Sequence, residues 1–371
     1  MEKIINQEEW DVIVIGAGPA GSIAAFELSK SGVSTLLIDK AKFPRTKVCG
    51  SCLNLRSLSL LRQSGINDIE SRLRAPRINK FYFGANQKHV SLSFSGCSVS
   101  REKFDHLLVS EAVNEGTYFL PKTRATLGKT NEFFATVHLM SGEQNQKIKA
   151  QIVLIADGLA GNALKGDENF RVKPKSRIGV STIVNEGPAF YRVGTIYMAY
   201  SKNGYVGVVR LEDDRIDIAA ALDQKLIRSG IKESIASILK EAAFPEIESM
   251  KNTPWLGTPY MSRSRNLVSG ERFFVIGDAA SYTEPFTGEG ISWALQSGIA
   301  VAPIAIEALK QWSPTHSRKW HLRYHDLIAR QQRISKLVMN SLRSPLFIRL
   351  IMNLLYKVPA LAFPVIKGIE N

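Results

Sequence analysis

Three glycines in Gly16-Ala17-Gly18-Pro19-Ala20-Gly21 keep a G-x-G-x-x-G spacing. In such a turn the first glycine permits a tight reversal off a strand. The second lets backbone approach a pyrophosphate, and the third lets a helix pack close to the strand. A diphosphate placed there meets the free N–H groups and positive dipole end of the helix. Asp39 stands 23 residues after Gly16. A carboxylate at that spacing accepts hydrogen bonds from a ribose and repels a 2′-phosphate, so NADP is disfavoured in this site. Two later stretches favour FAD over NAD. Gly277-Asp278 closes an apolar run, and Glu284-Pro285-Phe286-Thr287-Gly288-Glu289-Gly290-Ile291 opens a helix. Asp278 could bond a ribityl chain or simply end a turn. The glycine-rich helix opening could stabilise the negative charge of a reduced flavin, or be a plain loop.

These residues need elements to hold them. Asp11-Val12-Ile13-Val14-Ile15 reads as a buried parallel strand, followed by a helix from Ser22 to about Ser31 and a stop at Gly32. Residues 34–38 form a second strand ending at Asp39, which completes a βαβ unit. Residues 151–158 and 272–278 read as further apolar strands ending in Asp157-Gly158 and Gly277-Asp278. Residues 78–99 predict a hairpin, 101–115 a helix, 172–222 mostly strands, and the chain from about 290 onward mostly helix.

Cys49-Gly50-Ser51-Cys52 is a C-x-x-C. It can line a pocket, cycle as a redox pair or bind metal. Zinc lacks a second Cys/His pair, and pocket lining is the favoured reading. Arg45 and Lys47 beside it could face cofactor phosphates, a phenolate substrate or solvent. His89 and His106 are too weakly placed to nominate. No second G-x-G-x-x-G lies between strand and helix, so no dedicated nicotinamide domain is expected. Electrons would come from transiently docked NAD(P)H, a partner protein or the substrate.

The chain has 371 residues, 44% of them hydrophobic and 22% charged, which suits a two-part globular enzyme and not a disordered or fibrous chain. No run of about 18 uninterrupted apolar residues occurs, which argues against a spanning helix. The N-terminus has no basic-then-apolar leader, and three cysteines cannot build a disulfide framework. A cytoplasmic location is expected, with the inner face of the membrane as an alternative. The net charge of +14 first suggests nucleic acid. Its distribution argues otherwise: residues 310–371 hold 11 Lys/Arg against Asp326 and Glu370. In residues 346–357 the basic residues interleave with apolar ones, as in a helix lying on anionic lipid. A helical cap packed on the body is the plainer alternative, and no nucleic-acid partner is expected.

Taken in order, GAGPAG at 16–21, PRTKVCG at 44–50, REKFDHLL at 101–108, ADG at 156–158 and GDAASYTEPFTGEGISWAL at 277–295 resemble one group of proteins. It is the flavoprotein monooxygenase group with the p-hydroxybenzoate hydroxylase-like fold, and within it the geranylgeranyl reductase family. The likeness spans about residues 10–310. It implies that Gly16, Gly18, Pro19, Ala20, Gly21, Asp39 and Lys40 hold the ADP half of FAD. Arg45 and Arg101 would face the phosphates, and Gly277 and Asp278 the ribityl or pyrophosphate region. Cys49, Pro285, Gly288, Gly290 and Ile291 would lie near the flavin ring. Asp157-Gly158 matches a second fingerprint that bridges FAD and a pyridine nucleotide, although the usual downstream Ser is Ala160 or Gly161 here.

Geranylgeranyl reductases carry Y-x-W-x-F-P where this chain has Tyr205-Val206-Gly207-Val208-Val209-Arg210, so only the Tyr remains. The W-x-W-x-I-P of flavin halogenases is absent. GYVGVVRLEDDRIDIAAAL, KVCGSCLN and EPFTGEGISWAL look more like the flavoproteins encoded beside bacterial type III polyketide synthases.

The resemblance implies an α/β fold: a discontinuous Rossmann-like FAD-binding domain (1–75, 100–170 and 265–310), an antiparallel-sheet substrate domain (76–99 and 171–264) and a basic helical region (311–371). The expected activity is FAD-dependent oxidation of a hydrophobic, polyketide-type aromatic. One alternative is hydride transfer to isoprenoid double bonds, with Cys49 or Tyr205 as proton donor. Another is a non-catalytic, membrane-recruited flavin subunit.

Overall fold

A computed structural model describes residues 3–164, 166, 170–174, 176–284 and 288–358. The continuously apolar runs form one sheet. Its main order is Ser269–Gly270, Phe273–Val275, Gln144–Ile155, Glu9–Ile15, Thr35–Ile38 and Tyr118–Leu120. All neighbours in this path are parallel except the first pair. Val12, Ile13, Val14, Leu36, Leu37 and Leu154 are fully shielded, as strands covered on both faces must be. Register sets where these strands stop. Ile15 lies opposite Ile38 and Ile155, and Val275 lies opposite Ile155. Four strands therefore end in line, and the turns at Gly16, Asp39, Ala156-Asp157 and Ile276-Gly277 emerge side by side. The carboxyl edge of an open parallel sheet is where such folds bind ligands.

The strand expected at 151–158 starts earlier, at Gln144, because its first half pairs with Ala135–Ser141 in an antiparallel meander. The first helix is Pro19–Lys30, three residues earlier than expected at its start. Proline lacks only an N–H that the first helical turn would leave unpaired anyway. This helix packs against Gly290–Lys310, a helix apolar and long enough to cross a membrane but mostly buried in the fold. Gly298 makes the approach possible: a β-carbon there would sit 2.4 Å from the Ala20 carbonyl oxygen and 2.5 Å from an Ile23 methyl.

The second sheet runs Leu256–Tyr260, Ile178–Val184, Ile216–Leu222, Gly204–Arg210, Thr195–Ser201, Arg77–Ala85, Lys88–Ser98 and Cys52–Asn54. It is antiparallel except for the pair Thr195–Ser201 and Arg77–Ala85. Ile216, Ile218 and Leu222 face the Ile231–Glu241 helix, while Asp217, Ala219 and Ala221 take the opposite face. The hairpin at 77–98 reverses through Asn86 and Gln87, both at positive φ (50° and 59°). The Cys52–Asn54 strand crosses from the stretch 1–75 into this sheet, where Leu53 pairs with Cys97.

Helices Pro314–Tyr324, Arg330–Leu342 and Pro345–Lys357 close the described chain. Met339, Leu342, Ile348 and Met352 enter the same core as Phe81, Phe94 and Tyr205, so the last two helices do cap the second sheet. Residues 359–371 of the expected helical region lie outside the described residues.

Gly298→Val should force the two long helices apart and cost about 1–3 kcal/mol, the usual penalty of overpacking. Urea denaturation followed by circular dichroism measures it; an unchanged midpoint would mean the helices do not touch as described.

Candidate functional site

A cavity of about 600 Å³ follows the line of strand ends and continues over the second sheet. Its wall begins at Asp39, Lys40 and Thr123, passes Gly16, Gly18, Pro19 and Ala20, and then Arg45, Lys47, Cys49, Arg101 and Asp278. It continues past Gly288, Gly290 and Ile291 to Tyr282, Tyr205 and the sheet.

The three glycines of the first turn do different work. Gly16 sits at φ +108°, and a β-carbon there would lie 2.3 Å from the Ala156 carbonyl oxygen. One on Gly21 would lie 1.9 Å from the Gly16 carbonyl oxygen. Both glycines are therefore demanded by the fold, and Gly21 does not line the cavity. Gly18 is different: the nearest atom to a β-carbon there is Arg45 Nη2 at 3.8 Å, so the space belongs to the cavity. Asp39 fixes the turn by accepting from the Ala17 amide (2.9 Å) and the Ala41 amide (2.8 Å).

Asp105 anchors the basic wall. It is fully buried, accepts two 2.8 Å hydrogen bonds from Arg101 and pairs with Arg45 at 2.9 Å. Arg45 also reaches Asp39 at 3.8 Å. Asp105 was absent from the expected site, although its signal was present: it lies four residues after Arg101 on the Arg101–Asn114 helix. Burial, aided by Arg45 and Arg101, pushes the Lys47 ammonium below its usual range, against the pull of Asp278 and Asp105. Burial raises Asp278 above the ordinary carboxylate range, and Lys47 and Arg101 oppose the shift. An anion beside Lys47 would relieve its shift.

Some expected contacts change. Gly277 does not line the cavity. At φ +59° it packs against Ala20 (2.7 Å for a β-carbon), and its amide donates to Ser297 Oγ at 2.9 Å. Its glycine serves helix packing behind the wall. Asp157 lines the cavity, but one oxygen, Oδ2, accepts from the Asn162 and Ala163 amides, both at 2.7 Å. Its first duty is thus to hold the turn after Gly158. Pro285 lies outside the described residues.

At the far end the register of three strands builds a flat floor. Gly179 lies opposite Ala221, and Ala221 opposite Tyr205; Ala219 lies opposite Gly207, and Gly207 opposite Met198. Gly179, Gly207, Ala219 and Ala221 are thus small neighbours on one face, bordered by Met198, Tyr205 and Met261. Beside them Arg177, fully buried, pairs with Glu284 at 2.8 Å and Asp223 at 3.4 Å and lies over the rings of Tyr205 (5.5 Å) and Tyr200 (5.9 Å). Burial raises the hydroxyls of Tyr205 and Tyr282 well above the usual phenol range, so both are hydrogen-bond donors at neutral pH. Tyr282, Arg177 and Glu284 were missed in the sequence. Arg177 and Glu284 meet across 107 positions, which no local pattern announces.

Cys49, Cys52 and Cys97 are free thiols. Cys49 and Cys52 line the cavity, and Cys49 bonds Arg101. Burial pushes Cys52 well up and Cys97 to about 12, so neither is a thiolate at neutral pH and neither is primed for exchange. Behind the loop, Asp217 is buried on the cavity side of the sheet and bonds Ser51, which is held at φ +50°. Burial lifts Asp217 to about 7, opposed by Ser51 and Arg215.

Residues 9–341 match the family described as FAD binding domain. The chain belongs to that family. It is 26% identical over 361 residues to the digeranylgeranylglycerophospholipid reductase of Methanococcus vannielii, covering 91% of this chain and 86% of the relative. Two solved structures share its fold. A geranylgeranyl bacteriochlorophyll reductase-like protein from Thermoplasma acidophilum superposes with a TM-score of 0.77, at 20% identity over 91% of this chain and 88% of that one. The flavin-dependent brominase Bmp2 gives 0.78, at 18% identity over 98% and 93%. The chain is an FAD-dependent oxidoreductase enzyme. The residues present suit FAD: space kept open at Gly18 where a helix begins, three cations (Arg45, Lys47 and Arg101) along the adjoining wall, and a second helix start at Gly290.

Gly18→Val should leave the fold intact and abolish the yellow colour, because its side chain enters only ligand space. Gly16→Val should unfold the protein. Absorbance near 450 nm and circular dichroism separate the two; a flavinated Gly18→Val would contradict the assignment. Asp217 adds a pH test. Its folded value of about 7 exceeds its ordinary 3.8, so its contribution is complete below the lower value and lost as pH rises through the upper one. The wild-type Tm should fall more between pH 5 and pH 8 than that of Asp217→Asn. Parallel melting profiles would exclude Asp217 as the cause.

Proposed function

We propose that the enzyme oxidises a hydrophobic aromatic of the phenolic polyketide type, using FAD reduced by transiently docked NAD(P)H. In this reading the FAD diphosphate lies at the helix start of Gly18, Pro19 and Ala20, with Arg45, Lys47 and Arg101 facing it. The ribose lies at Asp39 and Lys40, and the ring lies at Gly288, Gly290 and Ile291 beside Cys49. Bound FAD supplies two-electron redox chemistry and, once reduced, a reaction with dioxygen. The chain's own residues bind, orient and keep water out.

The observation that carries the aromatic reading is the floor of Gly207, Ala219 and Ala221, closed at one end by Gly179 under Met261. Gly207, Ala219 and Ala221 in register leave a low stretch on which a ring can lie, while Met261 Sδ, 3.0 Å from where a β-carbon of Gly179 would sit, covers the Gly179 end. Met198 and Met261 supply soft edges, since thioethers pack well on aromatic faces. Tyr205 and Tyr282, protonated at neutral pH, can donate to a phenolic oxygen. Gly207 takes the place where geranylgeranyl reductases carry Trp.

A second reading is reduction of isoprenoid double bonds. The similarity to digeranylgeranylglycerophospholipid reductase over 91% of the chain favours it, and Tyr205 would then be the proton donor.

The test is oxygen consumption with NADPH and a long-chain resorcinol, with product mass read alongside, against anaerobic reduction of a geranylgeranyl lipid. Oxygenated product supports the first reading; saturated lipid without oxygenation supports the second and removes the first. Gly207→Trp should fill the floor and lower kcat/KM for the resorcinol by roughly tenfold or more, with FAD content unchanged. Unimpaired turnover would mean the ring does not lie there.

A further inference from the structure

We propose that the two C-terminal helices form a docking face for an anionic lipid bilayer. Each helix touches the body by one narrow stripe. Arg330–Leu342 buries Gln332, Met339 and Leu342, and Pro345–Lys357 buries Ile348 and Met352. The stripes are well fastened: Gln331 bonds Arg56 and Trp293, Gln332 bonds Ser281, and Asn353 accepts from Lys88. The outward faces are nevertheless apolar. Ile334 is 58% exposed, Leu337 67%, Leu346 78% and Leu350 66%. Single exposed apolar residues are ordinary on protein surfaces, but several large ones on consecutive helices mark an interaction face.

The charge around this face decides the occupant. From Leu327 to Ile369 the sequence holds no Asp or Glu. Arg330, Arg333, Lys336, Arg343, Arg349 and Lys357 are all exposed. Arg343 has a partner in Asp223 at 3.3 Å. Lys336 is crowded by cations: burial, Lys173 and Arg333 together push its ammonium below the usual range. Apolar side chains rimmed by cations match an acyl layer beneath phosphate headgroups. A second copy of the chain would bring the same cations against themselves. A nucleic acid would satisfy the cations and leave the apolar face in water.

The test uses the full-length holoenzyme in liposome flotation and needs no turnover, so its result is independent of which substrate the cavity takes. The protein should float with phosphatidylcholine vesicles containing about 30% phosphatidylglycerol and stay behind with phosphatidylcholine alone. Leu337→Glu/Leu346→Glu/Leu350→Glu should lower the floated fraction roughly tenfold while keeping bound FAD and the circular dichroism spectrum. Arg333→Ala/Lys336→Ala/Arg349→Ala should weaken binding to the anionic vesicles. The proposal is overturned if the wild type does not float, if the Glu variant floats like the wild type, or if the face proves to be a dimer interface. In the last case light scattering would show a dimer that the Glu variant dissolves.

Discussion

The Gly16 turn runs against the carbonyl of Ala156 so closely that no side chain fits between them. That backbone-on-backbone approach ties the first strand's exit to the exit of the Gln144–Ile155 strand, and register brings the two other exits level with them. The cavity's first half is therefore a product of strand alignment. Once four turns open at one edge, the first helix must start there with its amides pointing outward, and Gly18 is left as the glycine of the turn where a side chain would enter the cavity. Asp39 then holds the turn from the next strand, through the Ala17 amide.

The cavity's second half has a separate origin. Its floor comes from antiparallel register in the second sheet, and two devices join the halves. Ser100, which caps the Arg101–Asn114 helix, donates to Glu212 at 2.7 Å and so ties the Asp105 helix to the second sheet. Cys52–Asn54 adds an edge strand to that sheet directly after the cavity-lining loop, with Cys52 close to Gly288. The loop from Arg45 to Cys52 thus spans both halves, which places cations at one end of it and thiols at the other.

The first half was largely legible in the sequence, because its signals are local. A glycine turn, an apolar run on each side and an acid after the next strand announce a βαβ unit without knowledge of the rest of the chain. Gly16 and Gly21 leave no room for a side chain, as a tight turn and a close helix require, and Gly18 faces the cavity. The helix start at Pro19 falls three residues before the expected one because Gly and Pro ordinarily argue against helix, a preference that reverses at the first turn. Gly277 misled because its neighbour Asp278 does line the cavity, and a sequence cannot say which of two adjacent residues turns inward. The buried Arg177–Glu284 pair was invisible for a different reason: Glu284 opens a distinctive motif, but its partner lies 107 positions away, and ion pairs between distant segments depend on tertiary placement. Asp217 left a faint trace, a lone acid within the small apolar run Ile216–Leu222.

Asp223 pairs with two arginines, Arg177 inside the protein and Arg343 on the outer helix. Both ends of the molecule therefore share one carboxylate. If Arg343 were drawn away by another anion, Asp223 would be left to Arg177 alone, and the summed potential at Tyr200 and Tyr205, over which Arg177 lies, would change with no atom of the cavity wall having been touched. The rings at the back of the chamber are in this sense wired to the surface through a single acidic relay.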